Sequence, residues 1–332
     1  MNKSLKYLLL TASAALLAAG CAEDKTYALP EVYPSGGDTP SDVEPPHQVR
    51  ARKNKTSAWG DYLAYTVDRI HGFTPGEDPA TDKYGGWKGV SSQPATGFFR
   101  TQQIGGRDNR RWWMITPEGN LYICKGVAVF SAGGSDRQQA KLQEKFGSTS
   151  EWARQETSML KARGFNGLGA WSNVETVRKL TEPMPYTVIV SPMGKLNSYI
   201  KSSGEEADAS WSGWEGYPND FAMVFHPKFD EYVESEIKTI SKYKDDPYCI
   251  GYFTDNEIPW KDYALDRCLE KWPETHINHR KAQEWLDLRK GKTGAKLSEA
   301  TDADRRAFIA YCLDIYLEKV TAAIKKYDPN HL

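Results

Sequence analysis

The chain has 332 residues, with 43 Lys and Arg against 44 Asp and Glu, for a formal charge of −1. That balance, without any sustained basic stripe, argues against a nucleic-acid partner. Eleven Trp and eighteen Tyr are more than ordinary globular usage, and those in polar loops suit a partner with flat apolar faces and many hydroxyls, which is the chemistry of a sugar.

At the start of the chain Lys3 and Lys6 form a short basic region, and the apolar run Leu8 to Ala19 is too short to span a membrane. Leu17-Ala18-Ala19-Gly20-Cys21 resembles the lipobox of bacterial lipoproteins, although Ala18 stands where a large aliphatic residue is usual. That resemblance implies lipidation at Cys21. The acidic Ala22-Glu23-Asp24 that follows is similar to a lipoprotein surface-export signal. The expected location is therefore outside the cell, with a membrane anchor at Cys21; an ordinary secretory signal cut near Ala19 is the alternative. Residues 21–57 are rich in Pro, Gly and small polar residues and read as a disordered tether after a signal peptide at 1–20.

Residues 58–120 read as a helix from Trp59 to Ile70 followed by a β-hairpin, Phe98–Ile104 with Arg111–Thr116, closed by the turn Pro117-Glu-Gly-Asn120. From 121 the pattern alternates. Leu121–Phe130 reads as a strand, Gln138–Phe146 and Trp152–Arg163 as helices, and Gly164 as a helix stop. Phe165–Trp171 and Tyr186–Pro192 read as the second and third strands, with a short helix between them at Thr176–Leu180. Gly194 to Phe225 reads as a long polar loop holding Trp211, Trp214 and Tyr217. An amphipathic helix through Phe229, Val233, Ile237 and Ile240 leads to the fourth strand. That strand, Tyr248–Phe253, follows the turn Asp245-Asp246-Pro247 and ends abruptly in Thr254, Asp255, Asn256 and Glu257. Helical patterns fill the remainder, the last through Phe308, Tyr311, Ile315, Val320 and Ile324.

Strand–helix alternation with polar strand ends fits the first half of a (β/α)8 barrel over residues 121–332. A doubly wound sheet is the rival. It would carry a glycine-rich phosphate loop after its first strand, and Gly126-Val-Ala-Val-Phe-Ser-Ala-Gly-Gly134 matches one poorly. Of the five cysteines none lies in a C-x-x-C arrangement or beside a His cluster, so neither a metal nor a cofactor is expected. Cys124 and Cys249, inside apolar runs, read as small buried residues.

Cleaving a glycosidic bond needs one carboxyl to protonate the leaving oxygen and a second to attack or to activate water. Desolvation at the end of a buried strand can keep a Glu protonated, and Asn256-Glu257 offers that acid with an amide for a sugar hydroxyl. Here Gly251-Tyr-Phe-Thr-Asp-Asn-Glu-Ile-Pro-Trp260 resembles the acid/base segment of the β-agarases of glycoside hydrolase family 50, in the clan of retaining (β/α)8 glycosidases. Arg111-Trp-Trp-Met-Ile-Thr-Pro-Glu-Gly119 and Leu160-Lys-Ala-Arg-Gly-Phe-Asn-Gly-Leu-Gly-Ala-Trp-Ser172 are similar to that family's hairpin and second-strand motifs, and Asp328-Pro-Asn-His-Leu332 to the start of its next strand. The resemblance implies Glu257 as acid/base and Asn256 as the ligand of the neighbouring sugar hydroxyl, with Asp255, Trp171, Asn173 and Trp260 lining the cleft. Trp211 and Trp214 are added from their loop as sugar-stacking residues. His226 receives no role. The family's nucleophile is a second Glu at the seventh strand's end. This chain stops entering the fifth strand, and Glu118, Glu205, Glu206 and Glu215 end no predicted strand, so none takes that role. The sequence reads as an N-terminal piece of a longer enzyme, truncated after the fourth strand–helix unit, and uncovered apolar faces and two exposed sheet edges are expected.

The expected substrate is a β-galactan such as agarose. A β-galactosidase-like hydrolase of another glycan and a non-catalytic glycan-binding surface lipoprotein are the alternatives.

Overall fold

A computed structural model describes residues 47–52, 54, 56–64, 79–108 and 110–332, so the leader, Cys21 and most of the expected tether lie outside the described residues. The chain divides into two units, residues 1–77 and 78–332.

In the first unit, β1 (His47–Ala51) pairs antiparallel with β2 (Gly60–Ala64), Val49 opposite Tyr62. This corrects two expectations, the last part of the tether and the first half of the helix from Trp59. The reversal between the strands decides it. Asn54 Oδ1 accepts from the amides of Thr56 (3.0 Å) and Ser57 (2.9 Å), an Asx turn that brings the two extended segments side by side.

In the second unit, β3 (Arg100–Ile104), β4 (Arg111–Ile115) and β5 (Leu121–Tyr122) form an antiparallel sheet, with the expected hairpin as its first two strands. The loop before it is fixed by buried Asp82. Its Oδ1 accepts from Tyr84 N and Gly86 N, and its Oδ2 from the Thr116 hydroxyl and the Asn120 amide.

The expected first inner strand is divided between two sheets. Leu121–Tyr122 stays with the hairpin, while β6 (Gly126–Val127) opens a parallel sheet. Asn166 bridges the break: its Oδ1 accepts from Lys125 N at 2.7 Å and its amide donates to Ile123 O at 3.0 Å. The sheet continues through β7 (Gly167–Leu168), β8 (Tyr186–Val190) and β11 (Cys249–Thr254), in the order β6-β7-β8-β11 with every pair parallel. Neighbours in space are therefore neighbours in the strand sequence, which a doubly wound sheet with its reversal of order would not give.

Helices fill the crossovers. Ser135 and Gln138 form a capping box on α1 (Asp136–Phe146), and α2 (Thr149–Ala162) ends where Gly164, at φ 82°, donates to Lys161 O while Phe165 donates to Leu160 O. That is the six-to-one and five-to-two closure of a Schellman motif, so Gly164 stops the helix as expected. After the single turn of α3 (Val174–Val177) and strand β8, the stretch expected as a polar loop opens instead as α4 (Pro192–Ser203). Proline sits at its first turn, where no amide is missed, and Met193, Leu196 and Ile200 are fully buried at helical spacing. The rest of that stretch makes a short antiparallel pair, β9 (Trp211–Ser212) with β10 (Tyr217–Pro218).

Next come α5 (Phe229–Ile237), α6 (Ala264–Glu270), α7 (Ile277–Lys290) and α8 (Asp302–Tyr327). Phe308, Cys312, Tyr316, Val320 and Ile324 form the buried stripe of α8, each four residues from the next. Its capping residue Asp304 receives Arg289 at 2.8 Å and Lys290 at 2.7 Å from the end of α7, cations that hold the carboxyl far below its usual range. The main core lies between this helical layer and the face of the sheet bearing Tyr186, Val188 and Val190. A smaller core of Tyr84, Phe99, Tyr122 and Ile250 joins the antiparallel sheet to β11. Cys249 is buried as expected; Cys124 is exposed, because the chain leaves the sheet at that point. Among the described residues no helix is long and apolar enough to cross a membrane.

Candidate active site

Because the sheet is parallel, the carboxyl ends of its strands share one edge. The backbone there is unusual. Val129 follows β6 with φ 57°, Trp171 follows β7 with φ 59°, and Asp255 and Glu257 follow β11 with φ 51° and 52°. A side chain in the left-handed region costs about 1–2 kcal/mol, and a β-branched valine there is a true outlier. Such strain clusters where the surrounding structure over-determines a turn, as at functional sites.

The expected residues divide into three groups along this edge. Trp171 and Asn173 lie beyond β7. Trp171 is 48% exposed, with its ring 6.2 Å from that of Phe253, which is 45% exposed on β11. Trp171 and Asn173, with Ser172, Thr187 and Ile189, border a recess of about 260 Å³ beside β8. Asn256 and Glu257 lie beyond β11 and do not line that recess. Glu257 is exposed, so the burial expected of it is not supplied by the described residues.

Asp255 is buried and Trp260 is partly buried. Asp255 is 2% exposed and both carboxylate oxygens are committed inside the protein. Burial, with the Glu215 carboxylate nearby, pushes its carboxyl up to about 7, while hydrogen bonds from Tyr316 and the amides of Gly194 and Met193 pull the other way. Trp260 packs on the main core with its edge toward the Tyr316 ring, centroids 5.9 Å apart.

The third group sits on the short pair of β9 and β10. Trp211 is partly buried against the main core, with the Lys201 ammonium 5.5 Å from its ring centre. Trp214, in the turn between left-handed Gly213 and Gly216, is 87% exposed. The Tyr217 hydroxyl ties this element to the edge. It lies 2.9 Å from Glu215 Oε2 and 3.4 Å from Asn256 O, one proton serving two acceptors. Burial pushes that hydroxyl far above its ordinary range, with the Glu215 charge adding to the effect.

Glu215 is thus a carboxylate beside the Asn256–Glu257 turn that no strand-end signal marks in the sequence. Glu205 and Glu206 are held elsewhere, Glu205 by His226 Nε2 at 2.9 Å and Glu206 by His276 Nε2 at 3.0 Å. His226 Nδ1 accepts from Lys228 N at 3.1 Å, so this buried ring is a structural cross-link. Among the described residues no group of three or more His, Cys, Asp or Glu is arranged to hold a metal ion.

Solved structures share this fold. BpGH50 aligns with a TM-score of 0.65 at 22% identity, covering 90% of this chain and 66% of that one. The agarase AgWH50C aligns at 0.57 and 19% identity over 76% and 43% of the two chains, and an exo-beta-agarase at 0.57 and 18% over 76% and 48%. Beta-agarase B of Vibrio sp. (strain JT0107) is 22% identical over 358 aligned positions, 76% of this chain and 35% of the relative. The resemblance to glycoside hydrolase family 50 is borne out. No family model matches the chain. It spans about a third of the length of the curated relative and less than two thirds of the family 50 structures.

Proposed function

We propose that this chain carries the acid/base half of a retaining glycoside hydrolase acting on a β-galactan such as agarose, built on the first four strand–helix units of a (β/α)8 barrel. One observation carries the reading most directly: Asn256-Glu257 stands at the carboxyl end of the last strand in a sequentially ordered parallel sheet. Sites in such sheets form at that edge. The strained turns at Val129, Trp171, Asp255 and Glu257 gather on the same edge, and the relatives whose names state an activity are agarases.

Glu257 donates a proton to the departing glycosidic oxygen and then takes one from water in the second half of the reaction. Asn256 bonds the hydroxyl next to the scissile bond, a contact that strengthens as charge develops at the ring. Trp171 and Asn173 border the substrate, while Trp211 and Trp214 offer faces on which sugar rings stack. A retaining enzyme needs its second carboxyl about 5–5.5 Å from the first. The family resemblance puts that nucleophile on a later strand, and no residue of this chain is assigned to it. The protein is read as an exported lipoprotein anchored through Cys21, on the strength of its leader and the small residues before the cysteine.

The test is Glu257→Gln in the complete protein, assayed on agaro-oligosaccharides. Turnover is expected to fall by about 10²–10⁴-fold, the usual contribution of a positioned acid/base. Wild-type turnover in that variant would remove the assignment.

A further inference from the structure

Asp255 immediately precedes the pair that the proposed chemistry uses, yet it faces inward. Its Oδ1 accepts from the amides of Met193 at 3.0 Å and Gly194 at 3.1 Å, in the first turn of α4. Its Oδ2 lies 3.2 Å from Met193 N and accepts from the Tyr316 hydroxyl of α8 at 2.6 Å. Its own amide donates to Val190 O at 2.8 Å, where β8 ends. One residue is thereby fastened to a neighbouring strand and to two helices that are far apart in sequence. Tyr217 fastens the next residue through Asn256 O.

We propose that Asp255 is a positioning residue for the Glu257 carboxyl, holding the left-handed turn from which Asn256 and Glu257 project. This rests on the reading of Glu257 as the proton donor. Two non-glycine residues with positive φ, one on each side of Asn256, do not hold that conformation unaided, and the turn lies at the surface with Glu257 exposed. What over-determines it is the buried carboxylate, which accepts three donors at once. An asparagine has a single acceptor oxygen and an alanine has none. Both oxygens of Asp255 are occupied and the residue is 2% exposed, so a direct contact with sugar is ruled out.

Holding a proton donor differs from holding up a fold, and substrate chemistry separates the two. A sugar leaving group needs the proton; a dinitrophenolate does not. The experiment compares kcat/KM of the complete wild-type protein, Asp255→Ala and Glu257→Gln on agaro-oligosaccharides and on a dinitrophenyl β-galactoside. For Asp255→Ala, a loss of about 100-fold on the oligosaccharide is expected, the scale of a donor displaced by about 1 Å. On the aryl substrate the same variant should stay within about threefold of wild type. Equal losses on both substrates, or none on either, would overturn the positioning role while Glu257→Gln still shows the difference. If Glu257→Gln itself shows no leaving-group dependence, the reading of Glu257 falls and this inference falls with it. Should Asp255→Ala not fold, Tyr316→Phe decides by the same criterion. It removes one hydroxyl and keeps the ring against Phe229 and Trp260, and a leaving-group-dependent loss of about fivefold is expected.

Discussion

Asp255 carries a stability cost that its hydrogen bonds do not remove. Its carboxyl is pushed from an ordinary value of 3.8 up to about 7 by burial and by Glu215. Between those values the folded chain keeps a proton that the unfolded chain has released. The side chain's contribution is therefore greatest below about pH 4 and declines as pH rises toward 7. Asp255→Asn abolishes that titration while leaving one acceptor for the Met193 and Gly194 amides. Chemical denaturation at pH 5 and pH 8 should show the variant gaining on wild type as pH increases. Parallel stability curves at the two pH values would mean that Asp255 does not titrate in this way. Such a trade, stability given up at neutral pH for a fixed turn, is expected of a site residue.

Elements differed in how far the sequence disclosed them, for local reasons. β8 was legible because Tyr186-Thr-Val-Ile-Val190 is β-rich and its burial alternates as a half-covered strand requires. The Asn256–Glu257 pair was legible because it abuts an apolar run. α4 was hidden by serines and by Gly194, although Met193, Leu196 and Ile200 carry a helical spacing. β1 and β2 were hidden because their pairing depends on an Asx turn rather than on hydrophobic periodicity. The inward role of Asp255 depends on Met193 and Tyr316, each 60 or more residues away, and no local pattern announces such contacts. At this scale the short pair of β9 and β10 makes its own prediction. Trp214 is 87% exposed, so Trp214→Ala should leave the melting temperature unchanged. It should raise KM for agaro-oligosaccharides about two- to twelvefold, the worth of one aromatic stacking contact of about 0.5–1.5 kcal/mol. A lowered melting temperature with unchanged KM would make this tryptophan a packing residue.

For the molecule as a whole, the antiparallel and parallel sheets of residues 78–332 are joined by the smaller core and by specific polar contacts. Asn166 holds Lys125 N and Ile123 O, and the Tyr122 hydroxyl donates to Asn166 O at 2.9 Å. Whether the protein works at a membrane surface also belongs to this scale. Cells supplied with a labelled fatty acid should place label on the wild-type protein and none on Cys21→Ala. Label on both, or on neither, would remove the anchor from the reading. The consecutive order of β6, β7, β8 and β11 has a further consequence, for the time course of synthesis. Each strand pairs with the strand of this sheet made before it, so the sheet can grow from the amino-terminal side while the ribosome is still at work. The edge bearing Asn256 and Glu257 is then assembled last among these four strands. A translational pause between β8 and β11 would leave the Trp171 end of this edge shaped and Asn256 and Glu257 still to come.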